Sequence, residues 1–317
     1  MGPGRARGGG HLRTVGVDLG GTKILAAVVE GGRVTEARKR PTPEGGPEAV
    51  AAAIVDLVDD LGGAGRLGVG TPGRVAGTDG VVVGSPNMAG WDRPVPLGEL
   101  LRVGTGLERV AVGNDVNVAT LAEQAAGAGR GRSDLLCVFL GTGVGGGLVL
   151  DGRLRAGVHG LTGEIGHTTF RPGGRRCGCG LDGHTEAYAG RVAMEAEARR
   201  RHASGEPTAL VDLAGDGRMK SGVFAKALAV GDAVATALVD EAVEAVAVAI
   251  ASAVMLLDLD LVVIGGGVAD KLGPAFVGRI ADEVRSRLFP GSSLEVVPAS
   301  LGDHAGVVGA ALLAEAG

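Results

Sequence analysis

The chain has 317 residues, 45% hydrophobic and 21% charged, with a formal net charge of −5; at about 150 residues per domain two domains are expected, with ample core. A weakly acidic chain with no long run of one sign excludes a general nucleic-acid or membrane-surface binder, which needs a basic face, and three cysteines exclude a disulfide framework. Seven aromatic residues (five Phe, one Tyr, one Trp) beside 60 glycines imply a core of Ala, Val, Leu and Ile and a backbone free to approach a ligand closely.

Residues 1–13 begin MGPGRARGGG, Gly/Arg-rich and without the apolar core of a signal peptide, and read as a disordered tail. Ala6 stands where a myristoylation signal needs Ser or Thr. Residues 14–29 predict a hairpin, TVGVDL and ILAAVV flanking GGTK, with a third strand at 34–38. Apolar positions at helical spacing predict a helix over 47–61, and RLGVG (66–70) a buried strand. A strand ends at Gly113, and 117–129 reads as a helix close to a domain hinge. A second strand–glycine-turn–strand unit follows: LLCVFL (135–140), GTGVGGG (141–147) as the turn, LVL (148–150) as the return. The stretch 185–257 is helical and Ala-rich, DLVVIGGG (260–267) is a buried strand with its turn, and 305–316 is an apolar helix. The longest apolar run, Ala242–Leu257, is too short for a membrane span and meets Asp258 and Asp260; the expected location is the cytoplasm.

Four segments carry chemistry. In DLGGTK (18–23) the turn residues Gly20 and Gly21 expose backbone N–H groups to a phosphate; Thr22 adds a hydroxyl, Lys23 a positive charge, and Asp18 a carboxylate able to hold Mg2+ through water. An ordinary hairpin turn explains the same six residues. The runs around Gly141, Thr142 and Gly143 and around Gly265, Gly266 and Gly267 each follow a β-branched strand and offer bare backbone to a nucleotide. In VGNDVN (112–117), Asp115 can accept a hydroxyl proton while Asn114 orients the hydroxyl; the alternative is that Asp115 or Asn117 merely caps the next helix. In GEIGH (163–167) and RRCGCGLDGHTE (175–186), His167, Cys177, Cys179 and His184 form a tetrahedral zinc set. With one ring nitrogen on zinc, His167 presents the other N–H to a ligand, and Glu164 and Glu186 can grip vicinal sugar hydroxyls. A redox or merely buried C-x-C with unrelated histidines is the competing reading.

Together these segments resemble the ROK family (repressors, uncharacterised reading frames and sugar kinases), and within it the bacterial glucokinases. DLGGTK, SPNMAGW (85–91), GND, LGTGVGGG, GEIGH, CGCGLDGH-x-E and VIGGGV stand in the family's order and spacing from about residue 14 to 315. The resemblance implies an actin-like ATPase (ribonuclease H-like) α/β fold with two α/β domains flanking a cleft: residues 14–116, joined by the final helix (303–317), and 117–302 with a zinc-type loop at 167–186. It implies ATP with Mg2+, sugar contacts at Asn87, Asn114, Asp115, Glu164, His167 and Glu186, and Asp115 as the base for transfer of the γ-phosphoryl group to O6 of a hexose, glucose first. It further implies structural Zn2+, a homo-oligomer (dimer or tetramer), and neither nucleic acid nor membrane as partner. N-acetylmannosamine, fructose or allose as substrate, and polyphosphate as donor, stay open. A sugar-sensing regulator of the same fold would carry an N-terminal helix-turn-helix, where this chain has residues 1–13. His184 stands where the family has a third cysteine, and Gly113 where it usually has glutamate.

Overall fold

The structure, a computed structural model, describes residues 12–77, 79–85 and 88–316. The expected tail therefore lies, apart from Leu12 and Arg13, outside the described residues, and so does Asn87. The chain divides into two compact units, Met1–Ala122 with His304–Gly317, and Glu123–Asp303.

The first unit opens with β1 (Thr14–Leu19), β2 (Lys23–Glu30) and β3 (Arg33–Pro41), then α1 (Gly46–Asp60) and β4 (Arg66–Thr71). A two-stranded hairpin follows, β5 (Arg74–Ala76) and β6 (Val81–Val83), then α2 (Leu97–Thr105), β7 (Val110–Asn114) and α3 (Asp115–Ala126). The expected hairpin forms from Thr14↔Val29 to Leu19↔Ile24. The main sheet runs β3-β2-β1-β4-β7, antiparallel through the first three strands and parallel from β1 through β4 to β7. Val15, Val17 and Leu19 on one face of β1 and Thr14 and Gly16 on the other are all buried, as a central strand covered on both faces requires. Val15, Val17 and Leu19 join Ile54 and Leu57 of α1, Leu101 of α2 and Trp91 in one core.

The second unit contains β8 (Leu135–Leu140), β9 (Val144–Leu150) and β10 (Arg153–Leu154), then α4 (Glu186–Ala189), α5 (Arg191–Ala203), α6 (Ala209–Ala214), α7 (Ser221–Ala229) and α8 (Ala233–Leu257). β11 (Leu261–Gly265), α9 (Gly267–Leu272), α10 (Pro274–Arg285) and β12 (Glu295–Pro298) complete it. Its sheet, β10-β9-β8-β11-β12, repeats the same sequence of two antiparallel and two parallel pairings. The two strand–glycine-turn–strand beginnings read from the sequence thus open two sheets of one plan. Helix α8 packs an Ala/Val face on that sheet. Asp232 caps it by accepting the Ala235 N–H at 2.7 Å, and Asp258 closes it in the left-handed conformation at φ 53°.

The chain ends with α11 (Ala305–Ala316), which belongs to the first unit. It lies on β1 and β4 at backbone contact: a Cβ on Gly16 would stand 1.9 Å from the Val307 carbonyl oxygen, and one on Gly68 1.8 Å from that of Ala310. Among the described residues no helix is long and apolar enough to cross a membrane.

One expectation needs correction. The glycine-rich run 141–147 is not a long turn. The return strand starts at Val144, and Gly145, Gly146 and Gly147 pair with Phe139, Val138 and Cys137. The bare strand has a packing reason. A Cβ on Gly146 would stand 2.7 Å from the Gly163 oxygen, and one on Gly166 2.1 Å from the Val144 oxygen. Residues 163–166 therefore run directly over β9, which fixes where Glu164 and His167 leave the backbone.

Candidate active site

In the first unit Asp115 is the first residue of α3, and the cap is Asn114 rather than Asp115 or Asn117. Asn114 Oδ1 accepts the N–H groups of Val116 at 3.0 Å and Asn117 at 3.1 Å, the bonds that an N-cap supplies. Its Nδ2 donates to the Gly73 carbonyl at 3.1 Å and to Asp115 Oδ1 at 3.0 Å. Asn114 is thus occupied in orienting Asp115, and the direct sugar contact expected of it has no unused amide to rest on. Asp115 Oδ1 also accepts the Val116 N–H at 2.9 Å. Among the described residues Oδ2 accepts nothing.

The Asp115 carboxyl is pushed up to about 7, by burial first and then by the charge of Asp18, against the downward pull of the Val116 N–H, its own N–H and Asn114. A group poised there is suited to take a proton at neutral pH. Asp18, next to last in β1, lies against the first turn of α11, where Gly306 makes room: a Cβ there would lie 2.7 Å from Asp18 Cγ. The Gly20–Lys23 turn is closed by Gly20 N–H on the Lys23 carbonyl at 2.9 Å and by the Thr42 hydroxyl on the Gly20 carbonyl at 2.6 Å. Gly21, Thr22 and Lys23 are exposed at its tip.

In the second unit the glycines expected at the nucleotide separate by what a side chain would meet. A Cβ on Gly141 meets nothing within 4 Å and one on Gly267 only Ser221 Oγ at 3.7 Å, so both face open space. Gly265 and Gly266 are bare for internal reasons, since added Cβ atoms would lie 2.9 Å from the Phe139 ring and 2.5 Å from the Leu140 carbonyl oxygen. Gly143 faces inward onto Glu186, whose Oε2 accepts the Val144 N–H at 2.9 Å. The α5 N-terminus holds the same turn: Arg191 N–H donates to the Gly141 carbonyl at 3.1 Å and Val192 N–H to that of Thr142 at 3.2 Å.

The expected metal ligands come together. The donor atoms of His167, Cys177, Cys179 and His184 all lie within 4.8 Å of one another. Cys177 Sγ is 3.8 Å from His167 Nδ1, and Cys179 Sγ 3.3 Å from His184 Nδ1. In a tetrahedron with Zn–S near 2.3 Å and Zn–N near 2.0 Å, neighbouring S and N donors stand about 3.6 Å apart. Two thiolates and two imidazoles at these separations fit zinc, and the substitution of His184 for the family's cysteine leaves the set intact. Burial pushes the Cys177 thiol up to about 11, with neighbouring Cys179 and the charge of Glu186 adding to the rise; a bound divalent ion reverses that preference by holding the thiolate. With Nδ1 turned to the metal position, His167 points Nε2 at Glu164, whose Oε2 is 3.8 Å away. Cys177 Sγ lies 3.6 Å from Glu186 Oε1. Glu164, His167 and Glu186 are therefore all displayed around the His/Cys cluster.

Sequence reasoning missed the loop's anchor. Arg175 donates to Glu241 of α8 at 2.6 Å, pairs with Glu197 of α5 at 3.3 Å and lies over the Tyr188 ring, 4.8 Å from its centroid. Arg200 first, then Arg201 and Arg175, hold the Glu197 carboxyl down at about 2. Partners 66 residues apart leave no local pattern to read.

A profile of the ROK family matches residues 14–316. The chain belongs to the ROK family. It is 36% identical to the glucokinase of Streptomyces coelicolor over 95% of its length and 97% of that protein's. It is 33% identical to the N-acetylmannosamine kinase of Salmonella typhi over 96% of its length and 99% of the other's. The crystal structure of a ROK family glucokinase from Streptomyces griseus in complex with glucose and AMPPNP superposes with a TM-score of 0.83 at 34% identity, covering 97% of this chain and 100% of that one. The paired five-stranded sheets are accordingly the actin-like ATPase fold of the ROK kinases.

Proposed function

We propose that this ROK protein transfers the γ-phosphoryl group of ATP to the 6-hydroxyl of a hexose, with glucose the leading substrate. The observation that carries the reading is Asp115, oriented at a helix N-terminus by its own cap and poised near 7 with Oδ2 accepting no bond among the described residues. As O6 attacks phosphorus in line, Asp115 takes the hydroxyl proton and ADP departs with the bond electrons. The exposed tip Gly21–Lys23 and the open faces of Gly141, Thr142 and Gly267 are the backbone and side-chain donors for the phosphates. Asp18 would hold magnesium through water, and the ion when bound neutralises charge on the transferred group. Glu164, His167 and Glu186 would take the sugar's other hydroxyls, and zinc on His167, Cys177, Cys179 and His184 would fix the His167 tautomer. Asn87, outside the described residues, is retained as a sugar contact on the strength of the resemblance, while Asn114 is reassigned to orienting Asp115.

The test is an ADP-release assay on zinc-replete protein with ATP-Mg and a panel of hexoses. Turnover with glucose supports the reading. Turnover only with N-acetylmannosamine moves the substrate, in keeping with the 33% identity to that kinase. Silence with every sugar and with polyphosphate removes the enzyme and favours a sugar sensor.

A further inference from the structure

Turn 141–144 has two faces. Gly141 and Thr142 face outward, and a side chain on Gly141 would meet nothing within 4 Å. The following residues face inward. The Val144 N–H donates to Glu186 Oε2 at 2.9 Å, and a Cβ on Gly143 would stand 2.1 Å from that oxygen and 2.9 Å from Cδ. Glycine at 143 is therefore what seats the carboxylate. Gly190 completes the seat, since a Cβ there would press on Glu186 Cγ at 3.1 Å and on the Gly143 Cα at 3.2 Å. Outside the seat, the α5 N-terminus donates to the carbonyls of Gly141 and Thr142. The turn is thus pinned on both sides, so a shift of its outer backbone is transmitted to the carboxylate through one hydrogen bond.

We propose that turn 141–144 couples the two substrates: the sugar-holding carboxylate Glu186 and the nucleotide-facing backbone of Gly141–Thr142 share one rigid element, with Gly143 as the positioning residue that seats the carboxylate. The inference rests on the proposed function, because it takes Glu186 for a sugar ligand and the turn for a phosphate ligand. Sugar bound to Glu186 fixes the carboxylate, and with it the Val144 N–H and the two peptides before it. A phosphate held by those peptides meets a turn already ordered. By linkage the two ligands then strengthen each other by the same factor.

Gly143→Ala separates this role from general stability. The atoms its Cβ would displace are the far end of the Glu186 side chain, so the carboxylate leaves the Val144 N–H while the turn keeps its backbone. Glucose binding is titrated by calorimetry with and without saturating AMPPNP-Mg, and AMPPNP-Mg with and without glucose, for wild type, Gly143→Ala and Glu186→Gln. The wild type should bind glucose about tenfold more tightly with the nucleotide analogue present, with the same factor in the reciprocal titration. Gly143→Ala should unfold within a few degrees of the wild type, bind glucose more weakly, and bring that factor to about one. Glu186→Gln keeps an acceptor for the Val144 N–H and should keep the factor while weakening glucose itself. A wild-type factor of one, or a Gly143→Ala factor equal to that of the wild type, overturns the inference and leaves the kinase reading standing. A wild type that binds AMPPNP but neither glucose nor any other hexose of the panel overturns both.

Discussion

Asp115→Asn should cost the protein its turnover and, above neutral pH, make it more stable. Asparagine keeps the oxygen that accepts the Val116 N–H at 2.9 Å and the Asn114 Nδ2 at 3.0 Å; what it removes is the titrating proton. In the folded chain the carboxyl titrates at about 7, against 3.8 for an unperturbed aspartate. Between those two values the unfolded carboxyl ionises while the folded one stays protonated. Stability that is complete below 3.8 is therefore lost as pH rises towards 7, at about 1.4 kcal/mol per pH unit, and the loss is complete above that range. Over the whole interval this comes to about 4 kcal/mol, with about 2–3 kcal/mol of it falling between pH 5 and pH 8. The gain of Asp115→Asn over wild type should grow by that amount between the two pH values, several degrees in unfolding temperature. Thermal unfolding of both proteins without ligands at pH 5 and pH 8 reads it. An Asp115→Asn variant no more stable than wild type at pH 8, or equally favoured at both pH values, would refute the claim that burial and Asp18 hold this carboxyl protonated. At saturating glucose and ATP the same variant should turn over about 10²–10⁴-fold more slowly.

Because Asp115 works only as the carboxylate, kcat/KM for glucose should rise with pH through a limb near 7, and a profile flat from pH 6 to 8 would argue against it as the base. Elemental analysis should find one zinc per chain; His184→Cys should slow chelator-driven zinc release by about tenfold or more, since a third thiolate adds charge to the ion's shell, and an unchanged release rate would remove His184 from the ligand set. Arg175→Met should lower stability by about 1–2 kcal/mol, a reduced loss because Glu197 keeps Arg200 and Arg201 and Glu241 keeps Arg201; it should also speed zinc release, and failure on both readouts would make the loop anchor ornamental. Gly68→Val drives a side chain into the Ala310 carbonyl, 1.8 Å from the Cβ position, and should leave the first unit unfolded by chemical-denaturation and proteolysis measurements.

Where local pattern and local structure share a cause, the sequence was legible. Strand β8 and helix α11 run over 135–140 and 305–316 as expected, one because a short apolar run ends in glycines and the other because an apolar run follows Asp303 and His304. The clustering of His167, Cys177, Cys179 and His184 was legible because all four lie within 18 positions, 167–184. Legibility failed where a residue's reason lies far along the chain. Gly145–Gly147 read as a turn, yet they are strand, and Gly146 is bare because residues 163–165 cross it. Gly265 and Gly266 read as ligand glycines, and the packing of Phe139 and Leu140 against them was not visible in the local pattern. Asn114 read as a sugar ligand, and its bond to the Gly73 carbonyl was hidden because that loop lies 41 residues earlier.

The central claim is that Asp115 accepts the proton from a hexose O6 as phosphate is transferred to it. The measurement that tests it most directly is product analysis by 31P NMR after incubation with glucose and ATP-Mg, run on wild type and Asp115→Asn. Glucose binding to both is followed by the fluorescence of the single tryptophan, Trp91. The account predicts a glucose 6-phosphate resonance from the wild type and none at equal enzyme and time from Asp115→Asn, with glucose still bound by both. Phosphate on another hydroxyl, or the same product at an undiminished rate from Asp115→Asn, would contradict it.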